Sequence, residues 1–287
     1  MILGEDHAIQ RRVRVPTERE RGYEWIVARV GAVVTDLLAD APECDVVGIG
    51  TPGSVSRRTG TLKNSNTICL NGRPLAGDLE AHLGMPVRLE NDANCFALAE
   101  ALLGAGRGHE MVFGVILGTG VGGGIVVGGR LWSGPQDIAG EWGHHVLDPA
   151  GPACYCGARG CVETMLCGPA LEADHVAAGG PPCDAAAVAV RAAAADERAA
   201  GVFERWLDRF GRGVANVVNI LDPSVVVLGG GLSNIAALYG RGREAVARHV
   251  FTDELTTPIV QNALGDSAGV IGAALLTVGF GRTRRGT

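Results

Sequence analysis

Three cysteines and two histidines lie close together in the segment GEWGHHVLDPAGPACYCGARGCVE. Cys154, Cys156 and Cys161 share a short glycine-containing loop, and His144 and His145 lie just upstream. Three thiolates and one imidazole complete a tetrahedral zinc shell, and a site with four protein ligands is structural rather than catalytic. The spacing therefore predicts a structural zinc site. Three unrelated thiols are the alternative, because Cys-x-Cys is less usual than Cys-x-x-Cys among zinc ligands.

A carboxylate follows a predicted strand in the segment MPVRLEND. Asp92 lies where this strand passes into the predicted helix ANCFALAEALLG, which Gly104 can end. Ligands of α/β proteins bind at the carboxyl ends of strands, where Asp92 could accept the proton of a substrate hydroxyl. The alternative is that Asp92 is a helix N-cap without a chemical role.

Two glycine-rich segments follow predicted strands. The segment LGTGVGGG lies between the two strands of a predicted hairpin, and its glycines let backbone N–H groups approach phosphate oxygens. The segment VVLGGGLS follows another strand, where a nucleotide could pass close to the backbone. It is not GxGxxG and so does not indicate a dinucleotide fingerprint. A flexible turn and tight helix packing are the respective alternatives.

Alternating strands and helices must position these groups. Apolar spacing predicts a helix within residues 20–40, an alanine-rich helical region over residues 184–220, and a closing helix in DSAGVIGAALLTVGF. The segments CDVVGIGTPG and PSVVVLGGGLSN are each predicted to contain a strand that ends at glycines, and a helix is expected after the second. This alternation predicts the α/β class. The Arg-rich end GRTRRGT is expected to be a frayed tail.

The composition excludes several classes of protein. The chain has 287 residues, 47% hydrophobic and 20% charged, which is enough to bury a sizeable core. The net charge of -6 gives no general reason to bind nucleic acid or anionic membranes. The charged start lacks the apolar core of a signal peptide, and no later run is long enough to span a membrane, so we expect a cytoplasmic protein. Lys63 is the single lysine, which excludes a Gly-Lys-Ser/Thr phosphate loop.

Taken in order, these motifs resemble the ROK family of sugar kinases and sugar-responsive repressors. The match runs from about Gly48 to the C-terminus, and GEWGH followed by CYCGARGCVE is its most specific part. The resemblance implies that a zinc ion is bound by His144, Cys154, Cys156 and Cys161. By its spacing, His145 does not match the family's ligand.

The resemblance also implies roles in sugar and nucleotide binding. Asp92 would be the catalytic base that accepts the proton of the attacking sugar hydroxyl, and an ordinary ionised carboxylate suffices because proton removal is late. His144 would touch the sugar as well as zinc. The implied sugar-binding residues are Gly53, Asn66, Asn91, Asp92, Glu141, His144 and Glu163. The implied nucleotide-binding residues are Thr119 and Gly120, in a second phosphate loop, and Gly229, Gly230 and Gly231.

The implied fold is actin-like and hexokinase-like, with two α/β domains that close on a hexose and MgATP. We expect a smaller N-terminal domain over residues 1–106 and a larger C-terminal domain with the zinc loop over residues 107–287. The last helix could pack back on the N-terminal domain. The implied cofactors are ATP, Mg²⁺ and structural Zn²⁺, and such kinases are commonly homodimers.

One motif of the family is not found in these residues. Its kinases usually begin with a strand and an Asp-x-Gly-Gly-Thr turn, the first phosphate loop, whose aspartate helps to place Mg²⁺. Here Met1 falls in what is expected to be the next strand. Either the start is assigned too late or the chain is truly short and impaired. We expect this polypeptide to phosphorylate sugar poorly or not at all while still binding sugar and zinc.

The leading hypothesis is an ATP-dependent hexose kinase. The run GTPGSVSRRTGTLKNSNTICLNGRPL most resembles the fructokinase and mannokinase branch, which puts D-fructose first and N-acetylglucosamine or glucose second. An alternative of another class is a catalytically impaired, sugar-binding regulatory protein. The family's repressors carry an N-terminal helix-turn-helix domain, for which these residues leave no room. A zinc-dependent interaction module is a third hypothesis, and the extent of the pocket pattern argues against it.

Overall fold

The computed structural model describes residues 1–41 and 43–277. Its α-helices are α1 (Tyr23–Leu38), α2 (Leu75–Leu83), α3 (Asp92–Leu103), α4 (Val162–Leu166), α5 (Gly168–Ala177), α6 (Ala185–Ala193), α7 (Glu197–Leu221), α8 (Arg241–Ala247) and α9 (Ala268–Leu275). Its strands are β1 (Ile2–Leu3), β2 (Ile9–Arg11), β3 (Val47–Thr51), β4 (Ser54–Val55), β5 (Leu62–Lys63), β6 (Val87–Asn91), β7 (Met111–Leu117), β8 (Val121–Val127), β9 (Arg130–Leu131), β10 (Val225–Gly229) and β11 (Ile259–Gln261). Helices and strands alternate, so the predicted α/β class is confirmed.

A five-stranded sheet in the order β11-β10-β7-β8-β9 forms the centre of the C-terminal half. Strands β7 and β8 form the predicted antiparallel hairpin, and its register brings Leu117 opposite Val121 at the glycine turn. Strand β10 runs parallel to β7 and is buried throughout, as its unbroken apolar sequence predicts for a strand covered on both faces.

The N-terminal half contains the two-stranded parallel pair β3-β6. Thr51 pairs with Asn91, so the carboxyl ends of both strands lie side by side. Helices α1 and α2 pack together beside these strands, and Tyr23, Ile26 and Leu79 belong to one buried cluster there. The opening residues form two short antiparallel strands, β1 and β2, rather than the one strand predicted. A turn interrupts them, in which Asp6 Oδ1 accepts a hydrogen bond from the Ala8 N–H.

Two predicted helical regions differ in detail. The alanine-rich region is broken between α6 and α7, because Ala195 has φ 64 and Asp196 caps α7 by accepting from the N–H groups of Arg198 and Ala199. After β10 the chain makes two short 3₁₀ turns and then forms α8, the helix expected after this strand.

The last helix lies directly against the N-terminal half. A Cβ on Gly48 of β3 would come within 1.8 Å of the Ala273 carbonyl oxygen, and one on Gly272 would come within 1.7 Å of the Cys95 carbonyl oxygen. Glycine at both positions therefore permits close contact of α9 with β3 and α3. The Glu100 carboxylate, fully buried in α3, accepts from the N–H groups of Ala263 and Leu264 just before α9.

The limits of the described chain affect two predictions. The closing helix was expected to continue through Phe280, but its end and the tail GRTRRGT fall outside the described residues. The division into domains over residues 1–106 and 107–287 stays a prediction. Among the helices of the described residues, none combines the length and apolar character that crossing a bilayer requires.

Candidate active site

The end of β6 places a carboxylate at the start of α3. Asn91 is the N-cap of α3, and its side-chain oxygen accepts from the N–H groups of Ala93 at 2.8 Å and Asn94 at 3.3 Å. Asp92 is therefore the first helical residue and not the N-cap, contrary to the alternative drawn from the sequence. One Asp92 oxygen also accepts from the Ala93 N–H, and burial raises the pKa of Asp92 above its usual range.

The predicted sugar-binding residues surround one cavity that the two halves of the chain share. From the N-terminal half, the predicted residues that line it are Gly53, Asn66, Asn91 and Asp92. From the C-terminal half they are Glu141, His144 and Glu163. The Asn91 Nδ2 donates to the Gly53 carbonyl at 3.2 Å, which ties two of these positions together.

The cavity is acidic. Burial is the main cause that raises the pKa of Glu141; Asp92 and Glu163 raise it further, and His144 opposes them. Acidic side chains without a matching set of cations suit a neutral ligand with many hydroxyl donors, because ionised carboxylates are acceptors only. The arrangement therefore favours a polyol over an anion.

Glu163 connects the predicted sugar side of the cavity to the glycine turn. Its Oε2 accepts a hydrogen bond from the Val121 N–H at 3.0 Å. A Cβ on Gly120 would lie 2.7 Å from the same oxygen, so the turn leaves room for the carboxylate only because residue 120 is glycine. Thr119 and Gly120 both line the cavity. The predicted second phosphate loop thus lies beside the predicted sugar-binding residues.

The three glycines at the end of β10, Gly229, Gly230 and Gly231, are placed differently. A Cβ on Gly229 would come within 2.4 Å of the Phe96 ring, and one on Gly230, which has φ 80, within 2.3 Å of the Leu117 carbonyl oxygen. Tight packing accounts for these two. Gly231 has open space, and a Cβ on Gly118 would lie 4.0 Å from its nitrogen. None of the three belongs to the lining of the cavity; their contact with a nucleotide stays a prediction.

The predicted zinc ligands converge. Within the described chain, the ligand atoms of His144, Cys154, Cys156 and Cys161 all lie within 4.8 Å of one another. Cys156 Sγ is 3.6 Å from Cys161 Sγ, and Cys154 Sγ is 3.5 Å from His144 Nδ1. A tetrahedral site with Zn–S bonds of about 2.3 Å puts its sulfur atoms about 3.8 Å apart, so the four residues fit zinc.

The protonation of these thiols depends on their surroundings. Burial raises the pKa of Cys161 to about 12, whereas the Ala158 N–H lowers the pKa of Cys156. A bound cation would hold all three thiols as thiolates. His145 contacts Asn216 at 3.3 Å and lies outside the cluster, as its spacing implied.

Two of the polar side chains that line the cavity were not predicted. Tyr155 lies between two of the cysteines, and its hydroxyl is 2.9 Å from His144 Nε2, the ring nitrogen that does not face Cys154. Asn64 has φ 60, a conformation that asparagine tolerates better than most residues. The signal for Tyr155 was its position between two zinc ligands, and Asn64 is two residues before the predicted Asn66.

The comparisons with known proteins agree with this arrangement. The sequence profile of the ROK family matches residues 1–279. The chain is 35% identical over 290 residues to the glucokinase of Thermotoga maritima, covering 95% of this chain and 91% of that protein. It is 39% identical over 277 residues to the N-acetyl-D-glucosamine kinase of Citrobacter koseri, covering 92% and 90%.

The fold is shared with solved structures as well. The crystal structure of the ROK hexokinase from Thermus thermophilus matches with a TM-score of 0.82 at 36% identity, covering 95% of this chain and 91% of that one. The predicted actin-like, hexokinase-like α/β fold is therefore confirmed. With its profile match, its sugar-kinase relatives and this fold, the chain belongs to the ROK family.

Proposed function

We propose that this protein is an ATP-dependent hexose kinase that acts on glucose or N-acetylglucosamine. The observation that carries the proposal is one cavity lined by the Asp92 carboxylate together with Glu141, Glu163 and the glycine turn at Gly120. The sequence put D-fructose first, but the relatives reported above are a glucokinase and an N-acetyl-D-glucosamine kinase. They support an aldohexose and give no support to fructose.

The chemistry follows from the residues. Glu141, Glu163 and the amide of Asn91 hold the sugar by its hydroxyls, so the reacting hydroxyl is directed at Asp92. Its oxygen attacks the γ-phosphorus of ATP, the bond to the β-phosphate oxygen breaks, ADP leaves, and Asp92 takes the hydroxyl proton. The backbone at Thr119 and Gly120 faces the transferred phosphoryl group. Mg²⁺, bound with ATP, would neutralise charge on the phosphates.

Zinc has a structural role in this proposal. His144, Cys154, Cys156 and Cys161 would hold the ion and thereby fix the loop that precedes Glu163. A rigid loop keeps the sugar-binding groups in register, which matters because small displacements of such groups lower affinity and rate. A homodimer remains the expected assembly, and sedimentation of the purified protein would test it.

The experiment measures ADP release with glucose, N-acetylglucosamine, mannose and fructose, and sugar binding by calorimetry. Asp92→Asn should lower kcat by about 10²- to 10⁴-fold while the sugar Kd changes little, because only proton transfer is lost. Asp174→Asn is the matched control, since Asp174 pairs with Arg209, away from the cavity-lining residues. Sugar binding without any ADP release in the wild type would favour the regulatory alternative. Absence of sugar binding would contradict both.

A further inference from the structure

Two surface segments meet over the sugar cavity. The first is the hairpin formed by β4 and β5, which lies between the cavity-lining residues Gly53 and Asn64. The second is residues 132–140, which connect β9 to Glu141. One segment comes from the N-terminal half and the other from the C-terminal half, so contacts between them join the two groups of cavity-lining residues.

A bidentate ion pair joins the two segments. Arg57 Nε lies 2.5 Å from Asp137 Oδ2, and a terminal guanidinium nitrogen lies 2.6 Å from Asp137 Oδ1. The same nitrogen donates to the Gly134 carbonyl at 3.3 Å. Paired N–H groups that meet both carboxylate oxygens fix orientation as well as distance, which a single contact does not.

Lys63 makes a second connection. Its Nζ donates to the Gln136 carbonyl at 3.3 Å. Burial is the main cause that raises the pKa of Glu141. The Lys63 ammonium is close enough to that carboxyl to oppose this increase, as His144 also does. The hairpin therefore contributes a cation on the acidic side of the cavity.

The segment 132–140 is held against β6, the strand that ends just before Asp92. Ser133 Oγ donates to Glu90 Oε2 at 3.2 Å, and Glu90 Oε1 accepts from the Asn91 N–H at 2.8 Å. Within the segment, the Ala139 N–H donates to the Ser133 carbonyl at 3.1 Å. The segment is thus a compact loop, and a shift of Asp137 would be passed on to its neighbours.

Both ends of the contact lead to predicted sugar-binding residues. The Glu141 N–H donates to the Ile138 carbonyl at 3.2 Å, one residue after Asp137. On the other side, Asn91 Nδ2 donates to the carbonyl of Gly53, just before the hairpin. The pair Arg57–Asp137 is placed to control the distance between the two sets of sugar-binding groups.

We propose that Arg57, Lys63, Gln136 and Asp137 form a clasp that positions the two walls of the cavity and thereby sets the affinity for the hexose. The inference rests on the proposed function, because it assumes that the cavity binds a sugar. Arg57 and Asp137 act as positioning residues: they hold the groups that bind the sugar. The clasp adds affinity and takes no part in proton transfer to Asp92.

The first test uses calorimetric sugar binding. Arg57→Ala and Asp137→Asn should each raise the sugar Kd by about two- to fivefold, the range for an exposed ion pair. Asparagine suits residue 137 because its φ is 54, a conformation that asparagine tolerates. The double variant should be no weaker than the weaker single one, since both remove the same contact. Arg57→Lys should recover part of the affinity, and kcat should be unchanged in every variant.

A matched control separates the clasp from a general effect of lost charge. Arg212 pairs with Asp208 one turn away on α7, and its side chain is 57% exposed against 62% for Arg57. Arg212→Ala should leave the sugar Kd unchanged. Added salt should weaken sugar binding in the wild type and not in Arg57→Ala, because screening acts on the ion pair.

The second test uses the single lysine of the chain. Saturating glucose or N-acetylglucosamine should slow acylation of Lys63 by an amine-reactive reagent, with the Met1 amino group as internal reference after peptide mapping. In Arg57→Ala, Lys63 should react faster than in the wild type. Acylation unaffected by both sugar and substitution would overturn the clasp.

The outcomes distinguish the clasp from the proposed function. If the wild type binds sugar and the Arg57→Ala variant binds it with the same Kd, the clasp is wrong and the proposed function stands. Additive effects of Arg57→Ala and Asp137→Asn would also overturn it. If the wild type binds no hexose, the proposed function fails and the clasp fails with it.

Discussion

The space beside Gly120 offers a direct test of how Glu163 works. In Gly120→Ala the new Cβ would lie 2.7 Å from Glu163 Oε2 and 3.7 Å from its Cδ. Carbon and oxygen do not approach so closely, and the end of a flexible side chain moves more easily than the backbone. The carboxylate therefore swings away and its 3.0 Å hydrogen bond from the Val121 N–H is lost.

The magnitude follows from the contacts that the carboxylate leaves. A hydrogen bond to a charged group contributes about 1.5–3 kcal/mol, so the loss of one sugar contact to Glu163 should raise the sugar Kd by about 10- to 150-fold. Gly118→Ala is the control, because its Cβ would meet nothing closer than the Gly231 nitrogen at 4.0 Å. It should bind sugar as the wild type does.

Calorimetry with glucose and N-acetylglucosamine, without nucleotide, measures these affinities. Glu163→Ala should bind about as weakly as Gly120→Ala, and the double variant should lose little more, because both changes remove the same contact. Equal sugar affinities for Gly118→Ala and Gly120→Ala would refute the reasoning, and so would additive losses in the double variant.

Three further predictions test pH dependence, zinc and packing. Burial raises the pKa of Asp92 and is the main cause that raises the pKa of Glu141, where Asp92 and Glu163 add to the effect and His144 opposes it. Both carboxyls should therefore take up protons as the pH falls, and kcat/KM should decrease with a midpoint above about 4, the ordinary range of an aspartate. A midpoint below that range would contradict this prediction. Elemental analysis should find zinc in the wild type. Cys156→Ser should lose this zinc and should have a lower Tm, whereas Cys44→Ser, at an exposed cysteine outside the cluster, should do neither. Gly272→Ala should reduce the free energy of unfolding in urea by about 2–3 kcal/mol, because its Cβ would overlap the Cys95 carbonyl. Gly269→Ala on the same helix, with open space around it, should raise that free energy by up to about 1 kcal/mol, and equal effects of the two glycine substitutions would contradict the packing.

The sequence predicted those elements whose pattern is local. Helix α1, the β7–β8 hairpin and the strand β10 follow from apolar periodicity and from glycines at their ends. The break between α6 and α7 was not predicted, because alanine favours a helix on both sides and Asp196 acts only as the cap of the second one.

Site residues that belong to a local sequence motif were predicted. Contacts between segments that are distant in the chain were not. The predicted zinc ligands lie within residues 144–161, so their spacing could be read directly. The contacts Glu163–Val121 and Arg57–Asp137 join residues far apart in the chain. The residue types at those positions do not indicate which residue each one contacts, since a surface arginine such as Arg57 could pair with any of many acidic residues. The choice of fructose relied on a short run around the hairpin, and such a run does not determine which hydroxyls the cavity holds.

The return of α9 to the N-terminal half has a consequence for how the protein is made. Helix α3 receives its cover from α9, which is synthesised about 170 residues later. At translation rates of about 5–20 residues per second, α9 leaves the ribosome roughly 10–30 s after α3, and the apolar face of α3 stays uncovered during that interval. The N-terminal half therefore cannot finish folding until α9 has emerged. Until then the apolar face of α3 is open to non-native contacts and aggregation.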